Sequence, residues 1–329
     1  MRALVSAQLK GVWAAVPTPW TVNYELDTGV LEENIQRYQG WAVPGVYTTD
    51  SDGEFYALDL DEFRQLARAF GRAMERTSMD GAMGVTWCNT RGIIERIKIS
   101  LDAGIPNVHV GFPFWMPLAN SDVPRFFEDL ATAVPESRWI HYRTDRGHIL
   151  PTGVEYAHYH KTYPEQLVGT KLGTTDFVDL VEVIAHSPGL AHFAFELTEV
   201  MGALAGARGN YSYWVNTLPK WTLETWELCG RVCWEEAMIR QAKLIRWEKE
   251  FLQPLFQCGH NHGIIGKARV SLSDLVADNG LTRAPYYPVD SALVKQLKQQ
   301  FQSFWSEEIA EELAQRTSLP LSATGEAQQ

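Results

Sequence analysis

A lysine in an apolar, glycine-punctuated run is the residue of this sequence best suited to chemistry. Lys171 lies in LVGTKLGTTDF, residues 167 to 177, which otherwise has the character of a buried strand. A buried ammonium is costly unless it is paired or loses its proton. We expect desolvation to lower the pKa of Lys171, so that its amine could attack a carbonyl and form a Schiff base. An ion pair with Glu54 or Glu196 is an equally good interpretation from position alone.

Two further stretches could serve the same chemistry. Tyr142 ends the run WIHYR and could relay protons to and from a Schiff base, although a tyrosine at a strand end is more often a packing residue. The turn TTDSDGEF, residues 48 to 55, could hold a carboxylate on the backbone N–H groups near Ser51 and Asp52. An ordinary tight turn is the alternative.

One cysteine and histidine cluster could suggest a metal. The segment CGHNHG, residues 258 to 263, offers thiol and imidazole ligands but lacks a second ligand pair at recognisable spacing. We therefore favour a turn between helices there and expect no metal site.

Eight short runs rich in β-branched and aromatic residues must position these side chains, and they alternate with segments of helical period up to about residue 216. The strand candidates are GVWAAVPTP, GVYTTD, DGAMGVTW, NVHVGFPF, RWIHYR, LVGTKLG, LAHFAFE and NYSYWVN. This alternation predicts an α/β fold, a (β/α)8 TIM barrel, whose functional groups come from the C-terminal ends of strands. A doubly wound sheet would place a glycine-rich phosphate turn after the first strand, and AVPTPWTVNYELD has none.

Long helical patterns replace the strand pattern after residue 219. We predict a barrel over residues 1–219, a C-terminal helical region packed on it over residues 220–316, and a disordered tail over residues 317–329.

Composition excludes several classes of function. The chain has 329 residues, 45% of them hydrophobic, and a net charge of −11, which disfavours nucleic acid or an anionic membrane as the main partner. No apolar run approaches the length of a membrane helix, and the N-terminus lacks a convincing secretory segment, so we expect a cytoplasmic protein. Four cysteines at irregular positions do not form a disulfide framework.

Taken in order, these motifs resemble the dihydrodipicolinate synthase and N-acetylneuraminate lyase family. That family carries a G-[ST]-x-G-E turn after strand two, a Tyr ending strand five and a Lys on strand six. Tyr142 and Lys171 match the last two, and DSDGE (50–54) resembles the turn with Asp50 in place of its first glycine. Strand eight matches the family's G-x-x-S-x-x-x-N-x-x-P segment in GNYSYWVNTLP (209–219). The resemblance covers roughly residues 10–300, and Pro17, Thr18 and Pro19 fit strand one.

Within the family, one branch is most similar. The segments GFPFWMP, FFEDLATAVPE, GKAR and RAPYYPV look like the trans-o-hydroxybenzylidenepyruvate hydratase-aldolases of aromatic catabolism. In the synthases, the position of Trp115 is a Tyr that reaches a neighbouring subunit's site as part of a proton relay. An indole has no titratable hydroxyl but offers a flat apolar surface, which favours an aryl substrate.

The resemblance implies a mechanism and a set of site residues. Lys171 would be the nucleophile and Tyr142 the proton shuttle, with Ser51 holding the pyruvoyl carboxylate and Trp115 lining an aryl pocket. The resemblance also places Ser212 and Glu196 in the substrate site, and Arg143 or Arg146 would offset the charges of Asp50 and Asp52. It implies pyruvate and an aromatic aldehyde as partners, a homotetramer, and no cofactor beyond the lysine Schiff base.

Two other functions stay open at this point. One is a pyruvate-dependent aldolase or dehydratase acting on a sugar acid or small keto acid, including a dihydrodipicolinate synthase-like activity, with Asp50, Asp52, Arg143 and Glu196 binding hydroxyls. The other is a catalytically inactive binding barrel in which Lys171 forms an ion pair. All enzyme versions require that the lysine amine be neutral often enough to condense with a keto acid.

Overall fold

Eight parallel strands, paired in chain order, close into a barrel. They belong to a computed structural model that describes residues 1–318, with side chains described as far as residue 314. The strands are β1 Gly11–Ala15, β2 Gly45–Thr48, β3 Asp80–Gly84, β4 Asn107–Val110, β5 Arg138–Arg143, β6 Leu167–Leu172, β7 Ala191–Phe195 and β8 Gly209–Ser212. Seven of the eight predicted runs contain one of these strands, and NYSYWVN overlaps β8, which begins one residue earlier at Gly209. The predicted (β/α)8 barrel with C-terminal helices is confirmed.

Helices follow the strands and cover the barrel. They are α1 Thr28–Gly40, α2 Leu60–Met74, α3 Thr90–Asp102, α4 Val123–Ala133, α5 Gly153–Thr162, α6 Phe177–His186, α7 Glu199–Ala205, α8 Pro219–Gly230, α9 Trp234–Trp247, α10 Gln253–Gln257, α11 His262–Val270, α12 Ser291–Phe304 and α13 Ser306–Ser318. Side-chain caps begin several of them, such as Asn89 on α3 and the capping boxes of Asp59 on α2 and Thr152 on α5. In the part of the chain that the structure describes, no helix has the length and apolar character to cross a bilayer.

Large aromatic side chains fill the barrel interior. The rings of Trp13 on β1 and Phe193 on β7 pack edge to face, 5.9 Å between centroids. Each needs a glycine opposite, since a Cβ on Gly45 would lie 2.3 Å from Trp13 and a Cβ on Gly209 would lie 2.2 Å from Phe193. The ring of Tyr211 packs against both, with its centroid 5.8 Å from that of Trp13 and 4.7 Å from that of Phe193. Tyr211 therefore separates these two interior rings from the mouth of the barrel.

The C-terminal helices build a second core against the barrel. Four tryptophans anchor this core, Trp214, Trp221, Trp247 and Trp305, each 4% exposed or less. Helix α8 contacts α7 and β1 and so takes the place of the barrel's eighth helix. The boundaries predicted for the barrel, at residue 219, and for the helical region, at residue 316, stay predictions. Helix α13 extends to Ser318, and the rest of the predicted tail of residues 317–329 lies outside the described residues.

Candidate active site

Lys171 lies at the mouth of the barrel, within contact of a phenol and a carboxylate. Its Nζ donates to Tyr47 Oη at 3.1 Å and to Asp50 Oδ2 at 3.3 Å, and the residue is 5% exposed. The ammonium also lies over aromatic rings, 4.1 Å from the centroid of Tyr142 and 5.5 Å from that of Tyr211. Strands β2, β5, β6 and β8 therefore bring their inward-facing residues to one nitrogen atom.

The environment of Lys171 corrects two expectations. Burial alone would lower the pKa of Lys171, but attraction to Tyr142, Tyr47 and Asp50 outweighs it and raises the pKa well above its ordinary value. Asp50 carries the opposing charge, since the neighbouring ammonium and the His109 hydrogen bond overcome its burial and lower its pKa to about 2. The resting lysine is thus protonated and paired, and its partner is Asp50, not Glu54 or Glu196.

A hydrogen-bonded chain continues from Asp50 across the barrel. His109 Nδ1 lies 3.2 Å from Asp50 Oδ2, and its Nε2 lies 2.6 Å from Tyr211 Oη. Burial lowers the pKa of His109, so the ring is neutral at pH 7. A neutral ring fits one assignment of protons, in which Tyr211 donates to Nε2 and Nδ1–H donates to Asp50.

The turn after β2 aims Asp50 at the lysine. Thr49 and Glu54 both adopt positive φ, at 58° and 52°, so the chain reverses sharply at each end of the segment DSDG. Thr49 Oγ1 donates to Gly84 O at 2.8 Å and Thr18 Oγ1 donates to Gly53 O at 2.6 Å. These bonds to strand β3 and to the loop after β1 fix the position of the Asp50 carboxylate.

Two adjoining cavities open at this end of the barrel. One, of about 290 Å³, contains Lys171, and its wall is polar at the far end, with Asp52, Glu196, Glu248, His262 and Arg269. The other, of about 260 Å³, is mainly aromatic, with Phe55, Tyr56, Phe112, Phe114 and Tyr286 beside Asp50 and Ser51. Four residues line both cavities and form the wall between them, Tyr142, Thr144, Arg146 and His262.

Charges are concentrated at the polar end of the lysine cavity. Arg269, on α11, contacts Glu248 at 2.7 Å and Glu196 at 3.5 Å. Burial, helped by Glu248, raises the pKa of Glu196 to about 7 despite the nearby guanidinium. Burial also lowers the pKa of His262 to about 4. A hydroxyl or carbonyl of a ligand would therefore find both donors and acceptors here.

The structure brings together most of the residues that the sequence indicated. Lys171, Tyr142, Asp52 and Glu196 line the lysine cavity, and Ser51 lines the aromatic cavity beside it. Residue pairing places Tyr142 directly opposite Lys171 on neighbouring strands β5 and β6.

Three predicted site residues lie elsewhere. Arg143 points to the outside of the barrel, where its guanidinium holds Asp179 with two bonds of 2.7 Å, so it cannot offset Asp50 or Asp52. Ser212 is buried and accepts a hydrogen bond from the Trp214 N–H at 3.1 Å, and it lines neither cavity. Arg143 and Ser212 each follow an inward-facing tyrosine on their strand. Because successive side chains of a strand point to opposite faces, these two residues face outward.

Trp115 also lies away from both cavities. It is 76% exposed on the loop between β4 and α4, while Phe112 and Phe114 of the same loop line the aromatic cavity. The apolar surface expected of Trp115 is thus supplied, within one chain, by its phenylalanine neighbours.

Several residues of the site escaped the sequence analysis. His109, Tyr47 and Tyr211 are polar groups inside apolar strand runs, and their alternation with buried aliphatic residues could have marked them as inward-facing. His262 and Arg269 come from the C-terminal helices, and no local pattern links them to the barrel mouth. The segment CGHNHG connects α10 to α11, where Asn261 caps α11. The described residues contain no group of three or more His, Cys, Asp or Glu placed to hold a metal.

Comparisons with known proteins find relatives in sequence and in fold. No family model matches the chain. It is 30% identical to an uncharacterised DapA-like lyase of Thermococcus onnurineus over 123 residues, and 28% identical to a trans-O-hydroxybenzylidenepyruvate hydratase-aldolase of Pseudomonas aeruginosa over 145 residues. The two matches cover 37% and 41% of this chain, and 41% and 42% of the respective relatives. This chain therefore spans only about two fifths of the length of either relative.

Solved structures resemble the whole barrel. YagE of E. coli K12, a dihydrodipicolinic acid synthase family protein solved with pyruvate, superposes with a TM-score of 0.80 at 19% identity, over 90% of this chain and 98% of that one. N-acetylneuraminate lyase from Fusobacterium nucleatum gives 0.76 at 18% identity, over 90% and 99%. Identities this low show a shared fold. The predicted resemblance to the dihydrodipicolinate synthase and N-acetylneuraminate lyase family is therefore confirmed, in sequence over about two fifths of the chain and in fold over nine tenths of it.

Proposed function

We propose that this protein is a class I, Schiff-base lyase acting on a pyruvate unit, with Lys171 as its nucleophile. The observation that carries the proposal is a lysine 5% exposed at a barrel mouth, surrounded by the rings of Tyr47, Tyr142 and Tyr211 and facing a cavity. The lyase names of its relatives support the same reaction type.

The proposed reaction begins at the ketone of an arylidene-pyruvate. Lys171 Nζ, once neutral, adds to the ketone carbon, and loss of water gives an iminium. The iminium withdraws electrons from the conjugated double bond, so that water adds at the distal carbon. A proton taken up at the neighbouring carbon restores the iminium, which gives a β-hydroxy iminium. Loss of its hydroxyl proton then breaks the carbon–carbon bond, an aromatic aldehyde leaves, and the electron pair of the broken bond forms an enamine. Protonation and hydrolysis release pyruvate. The iminium is the electron sink, so this proposal needs no metal or organic cofactor.

Tyr142 is the proposed proton shuttle. Its ring lies 4.1 Å from the lysine Nζ, and it lines both cavities, so its phenol can serve a substrate that extends from one into the other. The pyruvoyl carboxylate would lie at Ser51, with Arg146 as the cation. Arg146 lines both cavities, and it fills the role that Arg143 cannot.

The aromatic cavity supports an aryl substrate. The cavity is lined by the rings of Phe55, Phe112 and Phe114 and by Asp50. Asp50 in turn contacts Lys171, so the aromatic rings lie close to the lysine. A keto acid bound at the lysine could place its aryl group there, since the two cavities share a wall. The hydratase-aldolase name of one relative points to the same substrate class.

A second candidate is favoured by the polar cavity. Glu196, Glu248 and Arg269 could bind the hydroxyls of a sugar acid, which would give an aldolase or dehydratase using the same lysine. A binding barrel without catalysis is the third possibility, in which the Lys171 and Asp50 pair would be purely structural.

A substrate panel separates these functions. We expect purified protein to consume at least one arylidene-pyruvate, followed by loss of its ultraviolet absorbance and by release of pyruvate. Phe114→Ala should raise KM for that substrate by about tenfold, because it removes apolar contact from the aromatic cavity. Tyr287→Ala removes an aromatic ring that is 84% exposed and outside both cavities, so it should leave KM unchanged. Turnover of sugar acids alone would reject the aryl assignment.

A further inference from the structure

Asp50 lies between Lys171 and the aromatic cavity. Its carboxylate is 2% exposed, it contacts Lys171 Nζ at 3.3 Å, and it lines the aromatic cavity. Among the described residues it is the one carboxylate within ion-pair distance of Lys171. The family's turn has a glycine at this position, so the carboxylate is a feature of this chain.

His109 supports Asp50 from the other side. The imidazole is fully buried, and its two nitrogens contact Asp50 at 3.2 Å and Tyr211 at 2.6 Å. Because Tyr211 donates to Nε2, the Nδ1–H is directed at the carboxylate. A simple ion pair would not require this second donor, whereas a base that must keep one orientation while its charge changes would benefit from it.

We propose that Asp50 is the base that accepts the proton Lys171 must lose before it attacks the keto acid, with His109 and Tyr211 as the residues that position it. This inference rests on the proposed Schiff-base function, and it assigns the first proton transfer of that reaction to a group inside the barrel.

The proton balance of the step is complete. Lys171 gives one ammonium proton to Asp50, and the freed lone pair forms the bond to the ketone carbon as the carbonyl electrons move to oxygen. A second nitrogen proton passes to that oxygen through Tyr142, giving a carbinolamine. Asp50 then returns its proton to the hydroxyl, which leaves as water while the iminium forms. Ammonium plus ketone becomes iminium plus water, and Asp50 ends as the carboxylate.

Substrate entry favours this transfer. In the open cavity the ammonium and carboxylate stabilise each other as a charged pair. A ligand that fills the cavity excludes water, and the cost of desolvating the ion pair then favours a neutral amine beside a neutral acid. The ion pair that keeps Lys171 protonated at rest is therefore also the route by which its proton leaves.

The pH dependence of imine formation belongs to the whole cluster around the carboxylate. The groups that face Asp50 or share its partners are Lys171 on β6, His109 on β4, Tyr47 on β2, Tyr142 on β5, Tyr211 on β8 and Asp52 on the same turn. The test must therefore compare variants over a pH range and not at a single pH.

The direct test measures how fast pyruvate forms an imine on Lys171, by rapid mixing, borohydride quench and mass analysis of the labelled peptide. Asp50→Asn should slow this step by about 10²-fold at neutral pH, because hydroxide from solvent must then remove the ammonium proton in place of the carboxylate. Its rate should then rise with pH in proportion to hydroxide. If Asp50 only locks the ammonium, Asp50→Asn would label as fast as wild type or faster, and the inference is overturned.

A pair of His109 variants tests the positioning role, and it carries the test alone if Asp50→Asn does not fold. His109→Asn keeps an N–H near the Nδ1 position and should retain the wild-type pH profile, whereas His109→Leu should slow labelling and shift the profile to higher pH. Identical profiles for both variants and wild type would overturn the assignment. Asp179→Asn, at the ion pair outside the barrel, is the matched control and should label at the wild-type rate.

Failure of the proposed function gives a different result. In that case wild-type protein itself would form no adduct with pyruvate, and the role of Asp50 would fall with it. A labelled wild type with a fast Asp50→Asn variant would reject the base and leave the Schiff-base function intact.

Discussion

At the scale of single residues, the site depends on a lysine whose neighbours stabilise its positive charge. Burial alone would lower the pKa of Lys171, but attraction to two phenols and two carboxylates, Tyr142, Tyr47, Asp50 and Asp52, exceeds that effect and raises the pKa. Local sequence indicates Lys171 and Tyr142 as site residues, because the lysine lies within an apolar run and the tyrosine lies near the end of another. It could not predict the contact with Asp50, which joins residues 121 positions apart. The sign of the pKa shift depends on that contact.

Tyr142 gives the first prediction at this scale. Tyr142→Phe should lower kcat for an arylidene-pyruvate by about 10²-fold or more, since the ring contacts remain and only the proton shuttle is lost. Steady-state kinetics on the panel substrates would measure it. Tyr163→Phe, a tyrosine packed against Phe127 and Trp139 outside the cavities, is the control and should keep wild-type rates. Wild-type kcat in Tyr142→Phe would refute the assigned role.

At the scale of elements, the strand ends and the turns after them divide the functional side chains from the structural ones. Strand alternation accounts for Tyr142 facing in and Arg143 facing out, and for Tyr211 in and Ser212 out. The sequence alone therefore allowed this distinction. Applying the two-residue period of a strand to β5 and β8 would have excluded Arg143 and Ser212 from the predicted site. Asp50 and Trp115 follow their strands on irregular backbone, where no period applies, and only tertiary contacts determine their directions.

Helix α7 carries a carboxyl whose ionisation should destabilise the fold. Glu199 is 1% exposed, and burial, together with Glu196, raises its pKa to about 8 from an ordinary 4.5. The folded protein therefore keeps a proton that the unfolded chain releases near pH 4.5. Stability from this group is complete below that pH and is lost as the pH rises through about 8.

Glu199→Gln should remove the loss of folding stability at high pH. We expect a gain in the free energy of unfolding of roughly 2–4 kcal/mol near pH 9 and little change near pH 5. Urea unfolding at the two pH values would measure it. Glu227→Gln, an exposed carboxyl on α8, should change stability equally little at both. An equal effect of Glu199→Gln at both pH values would contradict the assigned pKa shift.

At the scale of the whole molecule, the barrel and the C-terminal helices form one site. Helix α11 contributes Arg269 and His262 to the cavity walls, and its Lys267 contacts Glu54 at 3.3 Å and the Thr18 carbonyl at 2.7 Å. The helical region thus holds the turn that carries Asp50. The sequence predicted that these helices pack on the barrel but not that they complete its mouth. The contacts of Lys267 with Glu54 and Thr18, for example, join segments more than 200 residues apart.

Net charge and surface lead to further expectations at this scale. A chain of net charge −11 needs local cations to bind an anionic keto acid, and Lys171, Arg146 and Arg269 all line the lysine cavity. The homotetramer and the cytoplasmic location stay predictions.

The measurement that tests the central claim most directly is reductive trapping of pyruvate. Protein treated with pyruvate and borohydride should gain the mass of one reduced pyruvoyl group, mapped to the peptide that contains Lys171. Lys171→Ala should fold and gain nothing. Absence of the adduct in folded wild-type protein across the pH range, or an adduct on another lysine, would contradict the claim that Lys171 forms the Schiff base.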